Sequence, residues 1–177
     1  VAKLGSQAYG NVTISNGRVF VGTNNESPRD EGKKGDRGVV MCFDEKTGDL
    51  VWQLVIPKLG AGKVSDWEYI GVCSSPAIEG ERVYVVTNKC EVVCLDIQGF
   101  ANGNDGPFVD EANYVRPKGT QDALNKKVDA DILWMYDMRD ELGVFPHNVT
   151  SSSPLIIGDS LFVATSNGVD WTQTNIP

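Results

Sequence analysis

Four segments of the sequence combine amides, carboxylates and aromatic rings, which are the side chains that bind small polar ligands. One contains Asn24 and Asn25, the second reads "SDWEY", the third "FPHN" and the fourth "SNGVDW". We predict a binding site built from Asn24, Asn25, Trp67, Glu68, His147, Asn148 and Asp170. The alternative is that these side chains only cap their loops with hydrogen bonds.

Metal chemistry has a weaker basis in the sequence. His147 is the only histidine, so a histidine site lacks a second imidazole. Asp66 and Glu68 carry the carboxylate oxygens that Ca²⁺ prefers. "NGNDG" (102–106) does not fit an EF-hand, because its final glycine at loop position six puts Ala101 at the first ligand position. We therefore predict a polar turn there and commit to no metal site.

The four cysteines allow one candidate disulfide. Cys42 and Cys94 occupy equivalent positions in apolar segments, which indicates buried thiols. Cys90 and Cys94 lie four residues apart on one predicted strand. That separation is about 13 Å at about 3.3 Å per residue, too far for a disulfide. Cys73 and Cys90 are therefore the candidate pair, with two free thiols as the alternative, and no Cys-x-x-Cys spacing indicates zinc.

Composition and charge limit the classes of partner that the chain could bind. The chain has 177 residues, a net charge of −8 and 41% hydrophobic residues, which is typical of a globular protein. No basic cluster is longer than two lysines, so the sequence predicts no nucleic-acid partner. No apolar run approaches the roughly 18 residues of a membrane helix, so no transmembrane segment is predicted.

The elements that must position the candidate residues are repeated. "SSPAIEGERVYVVT" (74–87) recurs as "SSPLIIGDSLFVAT" (152–165), and "ISNGRVFVGTNN" (14–25) is a third copy. In each copy a glycine separates two short apolar runs, a pattern that predicts a hairpin of buried strands.

A second hairpin follows the first two copies. In the first it is continuous, "VVMCFDEKTGDLVWQL" (39–54). In the second it is divided into "EVVCLD" (91–96) and "DILWMYD" (131–137) by an insertion at 97–130. Each complete unit therefore has four antiparallel strands.

The two complete units align residue by residue. Asp44 aligns with Asp96, and Trp52 with Trp134. A single unit cannot bury both faces of its sheet, so neighbouring units must stack. We predict that Trp52 and Trp134 are buried between adjacent units.

Strand direction sends the longest loops to one end. Connections between second and third strands, and between units, share one rim, and all the candidate ligand-binding residues lie in them. Loops that converge on a rigid scaffold commonly build a binding site. The insertion at 97–130 is expected at the opposite end, although its length lets it wrap around the outer edge.

The order of a glycine turn, "RVYV", an aspartate and "KTGDLVW" resembles the pyrroloquinoline quinone (PQQ) repeat, with residues 40–52 as the best match. The resemblance implies an all-β fold, a β-propeller of four-stranded antiparallel blades. The family contains PQQ-dependent dehydrogenases and also assembly and scaffold propellers without a cofactor. It also implies a periplasmic or extracellular location.

Three functions are compatible with this resemblance and these residues. The first is a scaffold that binds a protein or a small molecule at the loop rim. The alternative is a PQQ-dependent dehydrogenase of small alcohols or sugars, with PQQ and Ca²⁺ as cofactors. A third is a hydrolase-like propeller that uses Asp66, Glu68 or His147.

The repeats define about two and a half blades. We place the first at 1–56, the second at 57–138 with its insertion, and the start of a third at 139–177. Propellers close with about four to eight blades. We therefore expect a piece of a longer propeller, whose partners include the remaining blades of the parent protein. Little helix is expected, except within 120–128 or 138–142.

Overall fold

The computed structural model describes residues 1–60, 65–116 and 124–165. Two four-stranded antiparallel meanders and one two-stranded hairpin follow each other along the chain, which confirms the predicted all-β architecture. The first sheet comprises β1 (Thr13–Ser15), β2 (Arg18–Asn24), β3 (Gly38–Asp44) and β4 (Leu50–Ile56). The second comprises β5 (Ala77–Glu79), β6 (Arg82–Val86), β7 (Glu91–Asp96) and β8 (Ile132–Asp137). The hairpin comprises β9 (Leu155–Ile157) and β10 (Ser160–Phe162).

Helix is confined to short segments in these three ranges. α1 (Glu111–Tyr114) lies inside the insertion, at a position where the sequence predicts no helix. α2 (Met138–Leu142) forms where the sequence allows one, and it ends at Gly143 in the left-handed conformation, φ 63°. The other expected helix, 120–128, falls partly outside the described residues, and its last three residues form a turn.

The two complete sheets have the same register. In each, an aromatic residue, a cysteine and a tryptophan lie side by side, and the register shifts directly after the cysteine. Ring centroids of the aromatic residue and the tryptophan are 6.0 Å apart in both sheets. The equivalent sets are Phe20, Cys42 and Trp52 in the first sheet, and Tyr84, Cys94 and Trp134 in the second. The predicted alignment of the fourth strands is thus confirmed.

The first serine of each Ser-Ser-Pro stretch holds its own hairpin together. Ser74 Oγ accepts a hydrogen bond from the Val86 amide at 3.1 Å. Ser152 Oγ accepts the equivalent bond from the Ala164 amide at 2.9 Å. Each hydroxyl oxygen thus supplies a hydrogen-bond acceptor for a backbone N–H group near the end of the second strand of its hairpin.

The second serine joins successive units. The Asn11 amide donates to Ser75 Oγ at 2.8 Å, and the Ser75 amide donates to Ser153 Oγ at 2.9 Å. Partners are separated by 64 and 78 residues, the offsets between the repeats. The repeated dipeptide therefore sets both the geometry of a unit and its contact with the next one.

Apolar side chains of the first and second sheets form one core. Trp52 lies at its centre with 1% of its surface exposed. Its Nε1 donates to the Ile97 carbonyl oxygen, just beyond β7, at 2.9 Å. Gly99 lets the backbone approach the indole, since a Cβ there would lie 2.9 Å from Trp52 Cδ1. Trp52 therefore packs between units, as predicted.

Trp134 is only half-buried. It lies on the apolar face of the second sheet with Val92 and Tyr136, next to Leu161 of β10. In the described part of the chain, the third unit supplies only the hairpin β9–β10 against this face. The prediction that Trp134 is buried is therefore confirmed only in part.

The insertion does not stay at the end of the sheets where it begins. Lys33 Nζ, in the β2–β3 loop, contacts both Asp129 oxygens at 2.8 and 2.9 Å, and Arg37 donates to the Val115 carbonyl oxygen at 3.0 Å. Val128 and Ala130 bond the backbone of Gln53 in β4. The insertion begins at the opposite end, as expected, and these residues then wrap around the outer edge of the first sheet to its other end, as the length of the insertion allows.

This contact includes a buried ion pair. Lys33 and Asp129 each expose 1% of their side chains, and Asp30 adds a second carboxylate to Lys33 at 2.7 Å. Burial opposes the Lys33 charge, but hydrogen bonds to Asp129 and Asp30 outweigh it and raise the lysine pKa. The pair fastens the insertion to the first sheet.

Candidate functional site

Exposed aromatic and polar side chains meet at the end of the sheets where β2 finishes and β3 begins. Trp67 and Tyr69 expose 49% and 43% of their surface, and Glu68 and His147 are also exposed. The Trp67 amide donates to the Asn148 carbonyl oxygen at 2.8 Å, which joins two segments distant in sequence. We call Trp67, Glu68, Tyr69, His147 and Asn148 the rim surface.

The backbone of the rim surface adopts unusual conformations. Tyr69 has φ 54° and Asn148 has φ 66°, in the left-handed region that non-glycine residues seldom occupy. The Tyr69 amide donates to Asp36 Oδ2 at 2.9 Å, which holds the first of these turns. Residues in such conformations tend to cluster at functional sites.

Asn24 supports the rim surface from below and does not reach solvent. It is fully buried, and its Nδ2 donates to Ser6 Oγ at 2.9 Å and to the Tyr69 carbonyl oxygen at 2.6 Å. Asn25 is 5% exposed, and its Nδ2 donates to the carbonyl oxygens of Lys33 and Gly35. Both side-chain amides are engaged in fixing loops.

Asp66 is also a buried support. Its Oδ1 accepts from Lys58 Nζ at 2.7 Å, and its Oδ2 accepts from the Leu59 amide at 2.8 Å and Asn88 Nδ2 at 2.9 Å. Both oxygens are therefore engaged, and a positive charge already neutralises the carboxylate. This set of contacts does not fit a Ca²⁺ site for PQQ, so it supports no reaction step through that cofactor. Asp170 lies outside the described residues.

The four cysteines are free and buried, so the candidate pair Cys73 and Cys90 is not bridged in this structure. Burial raises the pKa of the Cys73 thiol to about 11, with the Asp66 charge adding to the effect. Burial also raises the pKa of Cys90. Raised values keep both thiols protonated at neutral pH, and protonated thiols are poor nucleophiles.

A second cluster, which the sequence pattern does not reveal, lies where the insertion leaves and rejoins the second sheet. Asp96 ends β7, Asp131 directly precedes β8, and Asp105 lies in the polar "NGNDG" turn. One oxygen from each carboxylate lies within 4.8 Å of the other two. Glu111, in α1, is 1% exposed and adds a fourth charge to the group. We call these four residues the acidic cluster.

Charges of one sign dominate this cluster. Burial, with the neighbouring charges of Glu111, Asp96 and Asp105, raises the pKa of Asp131 to about 6. Among the described residues, none of its four carboxylates forms a salt bridge with a lysine or arginine. The signal in the sequence was the pair of aspartates at the two ends of the insertion, together with "NGNDG".

The comparisons with known proteins agree with the repeat. No curated protein sequence matches the chain significantly. Among the described residues, no helix has both the length and the apolar character needed to span a bilayer. The family model described as outer membrane protein assembly factor BamB, of the PQQ-like repeat type, matches residues 2–172. The match covers nearly the whole chain, and the described residues form two antiparallel four-stranded sheets and the start of a third unit, so the chain belongs to this PQQ-like β-propeller family.

Proposed function

We propose that the chain is part of a non-catalytic propeller scaffold that binds a protein partner through the rim surface. The observation that carries this proposal is the pair of exposed aromatic side chains, Trp67 and Tyr69, on a fixed base. Tryptophan and tyrosine dominate the binding energy of protein interfaces, where they lose solvent on complex formation. Adjacent exposed apolar side chains rimmed by polar residues are typical of interaction sites.

The base supports binding because it lowers the entropy cost of association. The amides of Trp67 and Tyr69 are tied to Asn148 and Asp36, and Asn24 bonds the Tyr69 carbonyl oxygen. A surface that is already ordered loses less freedom when a partner binds. Glu68 and His147 would then supply polar contacts beside the aromatic anchors.

The family supports the class of partner that we propose. Its description as an outer membrane protein assembly factor favours a protein partner over a small molecule, and a location outside the cytoplasm. A net charge of −8 is compatible with a protein partner that carries basic residues near the rim.

The half-buried face around Trp134 supports a second association. Val92, Tyr136 and Leu161 leave an apolar groove there, whereas the equivalent face around Trp52 is buried against the next unit. We infer that the remaining strands of the third blade, whose first hairpin is β9–β10, cover this face.

Dehydrogenase activity is the competing hypothesis, and one assay separates the two. Protein incubated with PQQ and Ca²⁺ is mixed with alcohols or sugars and an artificial electron acceptor. The scaffold proposal expects no reduction of the acceptor above a protein-free blank. Substrate-dependent reduction would contradict it.

The scaffold itself is tested with Trp67→Ala. We expect the amount of one specific co-purifying protein to fall at least about tenfold, since an aromatic anchor contributes about 2 kcal/mol or more. The exposed Glu45→Ala, at the opposite end of the first sheet, is the matched control and should leave that protein bound. Equal recovery with both variants, at unchanged melting temperature, would remove the proposal.

A further inference from the structure

The fold brings the four carboxylates of the acidic cluster together without a positively charged side chain in an ion pair with them in the described part of the chain. Asp131 is fully buried, Glu111 is 1% exposed and Asp96 is 7% exposed. Buried carboxylates without compensation are strongly unfavourable. Their neighbours in the turn are asparagines, which are neutral, so the turn itself supplies no cation.

Two oxygens of the cluster are buried and have no partner among the described residues. Asp131 Oδ2 accepts from the Asp105 amide at 3.0 Å, but Asp131 Oδ1 accepts nothing. Glu111 Oε2 accepts from Asn104 Nδ2 at 3.1 Å, but Glu111 Oε1 accepts nothing. Because Asn104 is adjacent to Asp105 in the chain, this bond holds the Glu111 carboxylate against the same turn.

The first unit shows that this arrangement is specific to the second. Asp44, the counterpart of Asp96, is neutralised by Arg18 Nη1 at 2.9 Å from across the strand pair. Arg82, the counterpart of Arg18, faces Asp96 in the same register, but the two form no ion pair in the described part of the chain. Asp96 therefore lacks the arginine of its counterpart and faces other carboxylates.

We propose that Asp96, Asp105 and Asp131 bind a Ca²⁺ ion, and that the nearby charge of Glu111 helps to balance it. Ca²⁺ takes oxygen ligands at about 2.4 Å, so the oxygens around one ion can lie up to about 4.8 Å apart. One oxygen from each of the three aspartates meets this limit. The ion would join both ends of the insertion to β7 and β8.

The turn is shaped for such a role. Asn102 Nδ2 donates to both Asp96 and Asp105 at 3.2 and 2.9 Å, which sets their separation. Gly106 has φ 77°, and a Cβ there would lie 2.4 Å from the Leu133 carbonyl oxygen. Only glycine therefore lets the chain bring Asp105 beside Asp131 and then return along β8.

The test is calorimetric titration of chelator-treated protein with CaCl2, and separately with MgCl2. We expect one Ca²⁺ per chain, a dissociation constant of about 1 mM or tighter, and a higher melting temperature with Ca²⁺. Asp131→Asn and Asp105→Asn should each weaken Ca²⁺ binding at least about tenfold. Because Asp131→Asn also removes repulsion, the metal-free variant should melt no lower than the wild type.

Asp110→Asn is the matched control, since it removes one exposed carboxylate from the same insertion without touching the cluster. It should bind Ca²⁺ as the wild type does. Three results would overturn the proposal: no saturable Ca²⁺ binding at about 10 mM, equal weakening by Asp110→Asn and Asp131→Asn, or Mg²⁺ binding as tight as Ca²⁺ binding.

Discussion

The connection between the third and fourth strands differs between the first and second sheets. In both sheets it starts at an aspartate that ends the third strand, but only the first sheet closes it with a short turn. In the first, Asp44 Oδ1 accepts from the amides of Lys46 and Thr47, both at 3.0 Å, and Gly48 closes the turn with φ 75°. In the second, Asp96 Oδ1 accepts from the Gln98 amide at 2.6 Å, and the chain then leaves the sheet for the insertion.

The difference shows which parts of the repeat are fixed by packing and which are free to vary. The strands and their tryptophans are retained because neighbouring units bury them. The turn between the third and fourth strands is at the surface, so a long insertion is tolerated at little entropic cost. The acidic cluster lies at that departure from the repeat, and the rim surface is likewise built from loops.

The equivalent tryptophans give the largest expected effect. Trp52→Ala should lower the free energy of unfolding by about 4 kcal/mol, since it leaves a cavity between units. Trp134→Ala should cost clearly less, because Trp134 is only half-buried in the described structure. Urea unfolding of both variants measures this. Equal losses would mean that the two units do not differ in packing as described.

Two adjacent lysines test the link between the insertion and the first sheet. Lys33→Met should cost about 3 kcal/mol because it leaves Asp129 buried without its cation. Lys34→Met is the control, since Lys34 is 63% exposed in its ion pair with Glu31 and should change stability little. Indistinguishable unfolding curves for the two variants would contradict the described path of the insertion.

Two turn glycines sharpen the comparison of the hairpins. Gly48→Ala should cost about 1 kcal/mol from left-handed backbone strain alone, because no atom lies within 4 Å of its added Cβ. Gly99→Ala should cost about 2 kcal/mol or more, since its Cβ also meets the Trp52 ring. Thermal unfolding checks the order, and a costlier change at Gly48 would contradict the packing of Trp52.

The smallest expected effect is a pH dependence at Asp44. Hydrogen bonds from the Thr47 and Lys46 amides, together with Arg18, lower its pKa, although burial opposes them. A lowered pKa stabilises the fold above the ordinary value of 3.8, and this contribution is lost as the pH falls through the lowered value. Stability should therefore fall less steeply toward acid in Asp44→Asn than in the wild type. A steeper fall would contradict the assignment.

The strand framework could be predicted from the sequence because burial and turn chemistry leave a periodic signal. The register of Trp52 and Trp134 followed directly from it. The role of Asn24 and Asn25 could not be predicted, because residue type alone does not show whether an asparagine side chain binds a ligand or bonds the backbone of a loop. The path of the insertion and its acidic cluster depend on contacts between residues far apart in sequence, such as Lys33 with Asp129, which no local pattern encodes.

The measurement that tests the proposed function most directly is photo-crosslinking in cells that express the protein. The photoreactive residue p-benzoylphenylalanine is placed at position 69 in the rim surface, or at position 45 in the opposite turn. If the rim surface binds a partner, position 69 gives one discrete adduct and position 45 gives none. The adduct at position 69 is lost when Trp67→Ala is introduced into the same protein. No adduct at position 69, or the same adduct from both positions, would contradict it.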